Sequence, residues 1–138
     1  LNFYIHHFFD SMVTGIEMNH FFYKQALDNQ KAYVKKYKKK IAKINFINCL
    51  AEEYQIQPSD NKFYFFNPFS LQIFIKVIGN LLFSVEENER TVDIILYYPS
   101  YDYIYFLENN TPFVLSQEIK LPDSGDHDPR HRFLVYQL

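Results

Sequence analysis

The sequence contains no tryptophan, one cysteine and three glycines in 138 residues. A lone Cys49 excludes an intramolecular disulfide and suits a reducing compartment. The glycines, Gly15, Gly79 and Gly125, stand far apart, so no glycine-rich phosphate loop can be written from them. No apolar run reaches the roughly 18 residues of a membrane-spanning helix. Leu1–Asp10 lacks the basic start of a secretory signal and carries His6 and His7. These features predict a cytoplasmic protein that does not engage a membrane. Charge of one sign is missing too. Lys and Arg number 14 against 16 Asp and Glu, and a net charge of −2 gives no field that would gather nucleic acid.

Aromatic side chains are what the sequence has in excess: 15 Phe and 12 Tyr make up 20% of it. Its length predicts one domain, residues 1–138, large enough to bury a core. Leu1–Asp10 reads as the rear of a helix, and Met12–Glu17 as a short β-branched strand ending in an acid. Asn19 is a suitable N-cap for a long helix running to about Lys40, with Phe22, Ala26, Tyr33, Tyr37 and Ile41 at helical spacing. A strand follows at Ile44–Ile47, then a helical turn at Cys49–Tyr54. Pro58–Asn61 is turn chemistry.

Four aromatic residues, Phe63–Phe66, then read as a strand buried on both faces. They stop at Asn67-Pro68-Phe69, after which Ser70–Glu87 is periodic at helical spacing. Val92–Tyr97 is a second near-continuous apolar strand, as expected where helices cover both faces of a sheet. Tyr101–Leu107 predicts a short helix. Two strands, Phe113–Lys120 and Arg132–Leu138, close the chain with no helix between them, so they must pair antiparallel or lie apart. Alternating strands and helices predict an α/β fold with a doubly wound, mostly parallel Rossmann-like sheet and a C-terminal antiparallel hairpin.

This order of elements resembles the class I S-adenosylmethionine-dependent methyltransferase fold with its first strand removed. The sheet of that family runs three-two-one-four-five-seven-six. The pairing of Ile16-Glu17-Met18-Asn19 with Phe65-Phe66-Asn67-Pro68-Phe69 is similar to a group of bacterial methyltransferases. The resemblance implies S-adenosylmethionine as cofactor. Glu17 then matches the acid that accepts hydrogen bonds from the ribose hydroxyls, a task suited to a group with two accepting oxygens. Met18 matches the apolar residue against the adenine. Cys49, Leu50 and Ala51 match the turn after the third strand. The family often places an acid there, where this chain has Leu50, leaving the adenine contact to backbone or to Glu52.

Asn67, Pro68 and Phe69 match the motif that lines the methyl-transfer pocket beside cofactor and acceptor. Amine methyltransferases of this fold carry Asn/Asp-Pro-Pro-aromatic there, and this chain lacks the second proline. The resemblance thus implies a small or macromolecular methyl acceptor, with an amine nitrogen as one candidate. In-line displacement on a sulfonium relies on positioning and exclusion of water, so no catalytic triad or metal cluster is expected.

The first strand of the family and its Gly-x-Gly loop have no match, so the domain reads as truncated at its N-terminus. Three arrangements would cover the exposed strand edges. The two flanking strands pair directly, a second chain fills the gap by oligomerisation or strand exchange, or an upstream segment has been lost. A non-catalytic methyltransferase-like module for protein interaction is the alternative function.

Other residues have plainer readings beside the functional ones. Asn67 is a site residue or a helix-capping amide, and Glu17 a ribose ligand or an ordinary strand-end acid. Tyr97-Tyr98-Pro99 lines the same pocket or ends an aromatic core. Lys31, Lys35, Lys36, Lys38, Lys39, Lys40 and Lys43 read as a solvated helix face rather than a basic patch. Asp126-His127-Asp128 with His131 reads as a hairpin loop rather than a metal site.

Overall fold

A computed structural model describes residues 1–37, 43–121 and 128–138. The chain divides into two compact units, Leu1–Tyr54 and Gln55–Leu138.

The first unit contains α1 (Asn2–Phe9), β1 (Val13–Ile16), α2 (His20–Tyr37) and β2 (Ile44–Ile47), followed by a 3₁₀ turn at Ala51–Glu53. β1 and β2 pair in parallel, from Val13 opposite Ile44 to Ile16 opposite Ile47. A parallel pair needs a crossover, and α2 lies within it. Asn19 caps α2 as expected, its Oδ1 accepting from Phe21 N at 2.9 Å. Phe3 packs its ring 5.1 Å from Tyr33 and 5.8 Å from Phe46. His6 is buried, with Nδ1 3.1 Å from Ser11 O, which makes it a packing residue. Buried Gln30 donates to Ile44 O, so a polar side chain inside the unit is satisfied.

The second unit contains β3 (Lys62–Phe65), α3 (Leu71–Glu87), β4 (Asp93–Tyr97), α4 (Tyr101–Asn110), β5 (Val114–Lys120) and β6 (Arg132–Gln137). Its sheet runs β3-β4-β6-β5. β3 and β4 are parallel, and β6 enters antiparallel between β4 and β5. That order matches the four-five-seven-six half of the expected sheet.

Two expectations need correction. The sheet is not mostly parallel. The pairs β1–β2 and β3–β4 are parallel, while β4–β6 and β5–β6 are antiparallel, and β1 and β3 belong to separate sheets rather than pairing directly. β5 and β6 follow each other too closely for the dozen-residue crossover that a parallel arrangement requires.

The second correction concerns Phe63–Phe66 and Val92–Tyr97, which are not buried on both faces. Phe65, Ile94, Leu96, Leu134 and Tyr136 are buried, whereas Tyr64 is 40% and Phe66 58% exposed, and Ile95, Tyr97, Phe133 and Val135 are half-buried. The cause is one-sided cover. Phe74 of α3 meets Phe65 edge-on at 5.5 Å, and Glu108 of α4 accepts from Tyr136 Oη at 2.9 Å. Phe65 and Tyr136 share one sheet face, so both helices lie on it and only alternate strand residues are covered.

Helix ends are managed by nearby polar groups. Ser100 Oγ accepts from Tyr103 N at the start of α4. After α3, Arg90 donates to Asn88 O and, beside Asn88 N, to Ser84 O, tying the loop back to the last turn of the helix.

Glycine positions give a paired test. A Cβ on Gly15 would stand 2.5 Å from Asn2 Nδ2 and 2.7 Å from the Phe46 ring, whereas one on Gly79 would meet nothing within 4 Å. Gly15→Ala should therefore cost about 1–3 kcal/mol through overpacking. Gly79→Ala, exposed within α3, should gain up to about 1 kcal/mol of helix propensity. Denaturant midpoints that shift in the same direction would contradict the close approach of α1 to β1.

Candidate functional site

In the first unit, the carboxyl ends of the two parallel strands carry the predicted adenosine residues side by side. Glu17 N donates to Ile47 O at 3.0 Å, extending the pairing one residue beyond β1. The Glu17 carboxylate accepts from Asn19 N through Oε1 at 2.8 Å. Asn48 then clamps the turn, donating from Nδ2 to Glu17 O at 2.7 Å and to Met18 O at 3.1 Å. His20 Nδ1 lies 3.0 Å from Asn48 Oδ1. With its backbone held on both sides, Met18 stands 71% exposed. Leu50 is also exposed, and Cys49 and Ala51 are half-buried. Burial, with the Glu53 carboxylate, pushes the Cys49 thiol up, away from the reactive thiolate form. Sequence reasoning misses Asn48, whose signal is an amide directly after β2.

In the second unit, Asn67 follows β3 in the left-handed region, φ 41°. Asparagine tolerates this backbone better than most residues. The α3 N-cap is Ser70, without a side-chain capping bond, so Asn67 is not the helix cap that was one reading of it. Asn67 is exposed, and its amide makes no hydrogen bond among the described residues. Phe69 turns inward, edge-on to Phe65 at 6.0 Å, and its carbonyl accepts from Tyr103 Oη. Phe66 lies 4.8 Å from Tyr97, which lies 4.7 Å from Phe133. Tyr97 therefore does border the Asn67 turn, and Phe133 joins it from β6. Distance in the sequence hid that pairing.

A second left-handed residue, Tyr98 at φ 51°, ends β4 before Pro99. Its hydroxyl donates to Asp128 Oδ2, and the Arg130 guanidinium lies 4.5 Å over its ring. Arg130 in turn donates to both Asp128 oxygens, at 3.2 and 2.9 Å. Asp128 is thus committed to a tyrosine and an arginine. The Asp126 and His127 positions considered with it lie outside the described residues, as do Lys38, Lys39, Lys40 and Ile41. Lys31 pairs with Asp28 and Lys43 with Asp10.

No protein-family model matches this chain, and no curated protein matches it. Its α/β arrangement is nevertheless shared with a solved structure. A Haemophilus influenzae protein, whose crystal structure is described as that of a "putative methylase", superposes with a TM-score of 0.53 at 15% identity, over 92% of this chain. The chain spans 66% of the length of that protein. The likeness is one of fold. No helix among the described residues is long and apolar enough to cross a membrane.

The Tyr98 clamp carries a pH prediction. Hydrogen bonds from Arg130, then from Tyr98, hold the Asp128 carboxyl well below the usual carboxylate range. A depressed folded pKa stabilises above the unfolded value of about 3.9 and loses that contribution as pH falls toward the folded one. The gap in Tm between the native chain and Asp128→Asn should be full at about pH 6 and narrow steadily below about pH 4. A gap independent of pH would mean that the clamp does not form.

Proposed function

We propose that this chain is an S-adenosylmethionine-dependent methyltransferase domain, with the adenosine held at the ends of β1 and β2 and the acceptor at the Asn67 turn. The observation that carries this reading is the end of β1. Glu17 has one carboxylate oxygen engaged by its own turn and the other with no partner among the described residues, next to an exposed Met18. That pair fits an adenosine: a carboxylate oxygen for a diol and an apolar surface for a flat base.

When bound, the cofactor supplies an electrophilic methyl group on a sulfonium. Everything else is positioning by the chain. Glu17 accepts the ribose hydroxyls, and Met18 with Leu50 packs against the adenine. The brace from Asn48 holds both backbone carbonyls of the turn, so Glu17 and Met18 are ordered before binding. At the other site the free amide of Asn67 accepts a proton-bearing group of the acceptor and fixes its lone pair, while Phe66 and Tyr97 exclude water. An amine nitrogen suits that amide, because a carbonyl acceptor orients an N–H without needing to ionise.

Calorimetric titration with S-adenosylhomocysteine tests the reading. The native chain should bind, and Glu17→Ala should weaken binding at least tenfold, the scale expected for hydrogen bonds to a charged group. Asn48→Ala should weaken it less, by loosening the turn rather than removing a ligand. No binding by the folded native chain refutes the proposal for this chain, and unchanged affinity in Glu17→Ala removes Glu17 from the site.

A further inference from the structure

We infer that the open edge of β5 pairs antiparallel with β5 of a second copy, in the register that sets Ile119 opposite Ile119 across a two-fold axis.

β5 is the outer strand of the sheet β3-β4-β6-β5 and is hydrogen-bonded to β6 alone. Every residue of it is exposed, Val114 at 69% and Ile119 at 42%. Such an edge presents a row of unpaired N–H and C=O groups that another strand can complete. Proline or a bulge along the strand commonly prevents this. β5 contains no proline, and its one irregularity lies toward its start, between Leu115 and Gln117. Beyond it, residues 117–120 pair in unbroken register with residues 132–135. A regular length of edge is therefore left open.

The backbone selects the register. Leu121 N donates to His131 O. Direction alternates along a strand, so the N–H and C=O of Lys120 and Glu118 point away from β6, toward the open edge. A partner strand must set residues of that kind opposite each other for both hydrogen bonds to be exchanged. Registers centred on Glu118 or on Lys120 meet this rule but put like charges face to face, which destabilises. A register centred on Gln117 brings Ser116, which has no partner across the bulge, opposite Glu118. Centring on Ile119 places Glu118 opposite Lys120 of the second copy, twice over, with Ile119 against Ile119 between them.

Side chains answer that register. A lysine on an edge repels a strand that offers it no acid, and Lys120 has no ion pair among the described residues. Glu118 accepts from Arg132 Nη1 at 2.9 Å through one carboxylate oxygen, leaving the other for the incoming lysine. On the opposite face Ile119 lies across from Phe133, so the second Ile119 extends an apolar surface already present. Two copies thus supply each other's complement, and their four-stranded sheets join into one. The paired strands are short, so the dimer is weak and concentration-dependent.

Sedimentation equilibrium of the chain over a concentration series tests this, and we expect a reversible monomer–dimer equilibrium. Lys120→Pro removes an N–H that faces the partner and none that faces β6, so it should abolish the dimer. Lys120→Glu sets acids opposite each other and should weaken dimerisation about tenfold. It alters no backbone group, so it decides the matter where the proline variant fails to fold. Non-hydrogen-bonded partners stand about 4.5 Å apart at Cα, within reach of a disulfide. Mild oxidation of Ile119→Cys should therefore link the two introduced thiols, as identified by peptide mass. A native chain that stays monomeric throughout overturns the inference and leaves the edge to a strand of another protein. A dimer undiminished in Lys120→Glu, or one that Ile119→Cys does not link, puts the contact elsewhere and overturns it as well.

Discussion

Tyr103 lies flat against Phe74, centroids 3.8 Å apart and planes 4° from parallel, and the second unit is built outward from that contact. Phe74 is fully buried, and its other neighbours are Phe65 below it on the sheet and Phe106 on α4. The stack therefore fixes α3 to α4 and both to β3. The hydroxyl of Tyr103 reaches from the same stack to the Phe69 carbonyl, the last residue of the Asn67 turn. Burial and hydrogen bonding thus act through one side chain, since a buried tyrosine must find a partner for its O–H. The turn that carries the candidate acceptor residue is anchored in the core by it.

The two strand ends of this unit are alike. β3 ends at Asn67-Pro68 and β4 at Tyr98-Pro99, each with a left-handed residue before the proline and a serine opening the next helix. A non-glycine residue in that region carries a cost of about 1–2 kcal/mol and persists only where its surroundings impose it. Asparagine bears it most easily. Tyrosine does not, and Tyr98 is the one surrounded by Asp128, Arg130 and a hydrogen bond from its own N–H to Arg132 O. The clamp from the β6 side is what retains the less suitable residue.

Much of this was legible in the sequence, for identifiable reasons. Element order came from periodicity. Ser70–Glu87 reads as a helix because Phe74, Ile78 and Leu81 share a face, and all three are fully buried. The closing antiparallel pair followed from the short connection before Arg132. The burial of Phe63–Phe66 was misread because consecutive aromatic residues look alike whether or not both faces are covered. Only the placement of α3 and α4 on one face decides it, and that is set by contacts far apart in the sequence. The same non-locality hid Phe133 and the Asp128–Arg130–Tyr98 cluster. Glu17 and Asn67 were visible as polar stops on apolar strands, but the difference between a committed and a free amide is geometric.

That difference separates the three asparagines at the ends of strands. Asn19 is used as a cap, because its backbone position leaves the amide oxygen over the first turn of α2. Asn48 is used as a brace, because β2 runs beside β1 and presents it to two carbonyls one residue apart. Asn67 sits where either use was open to it. Its positive φ turns the chain before Pro68, and Ser70 takes the N-cap position three residues on. The backbone conformation makes the turn, and the N-cap position falls to Ser70, which makes no side-chain capping bond. What remains is an exposed amide next to Phe66, with no hydrogen bond to the described residues.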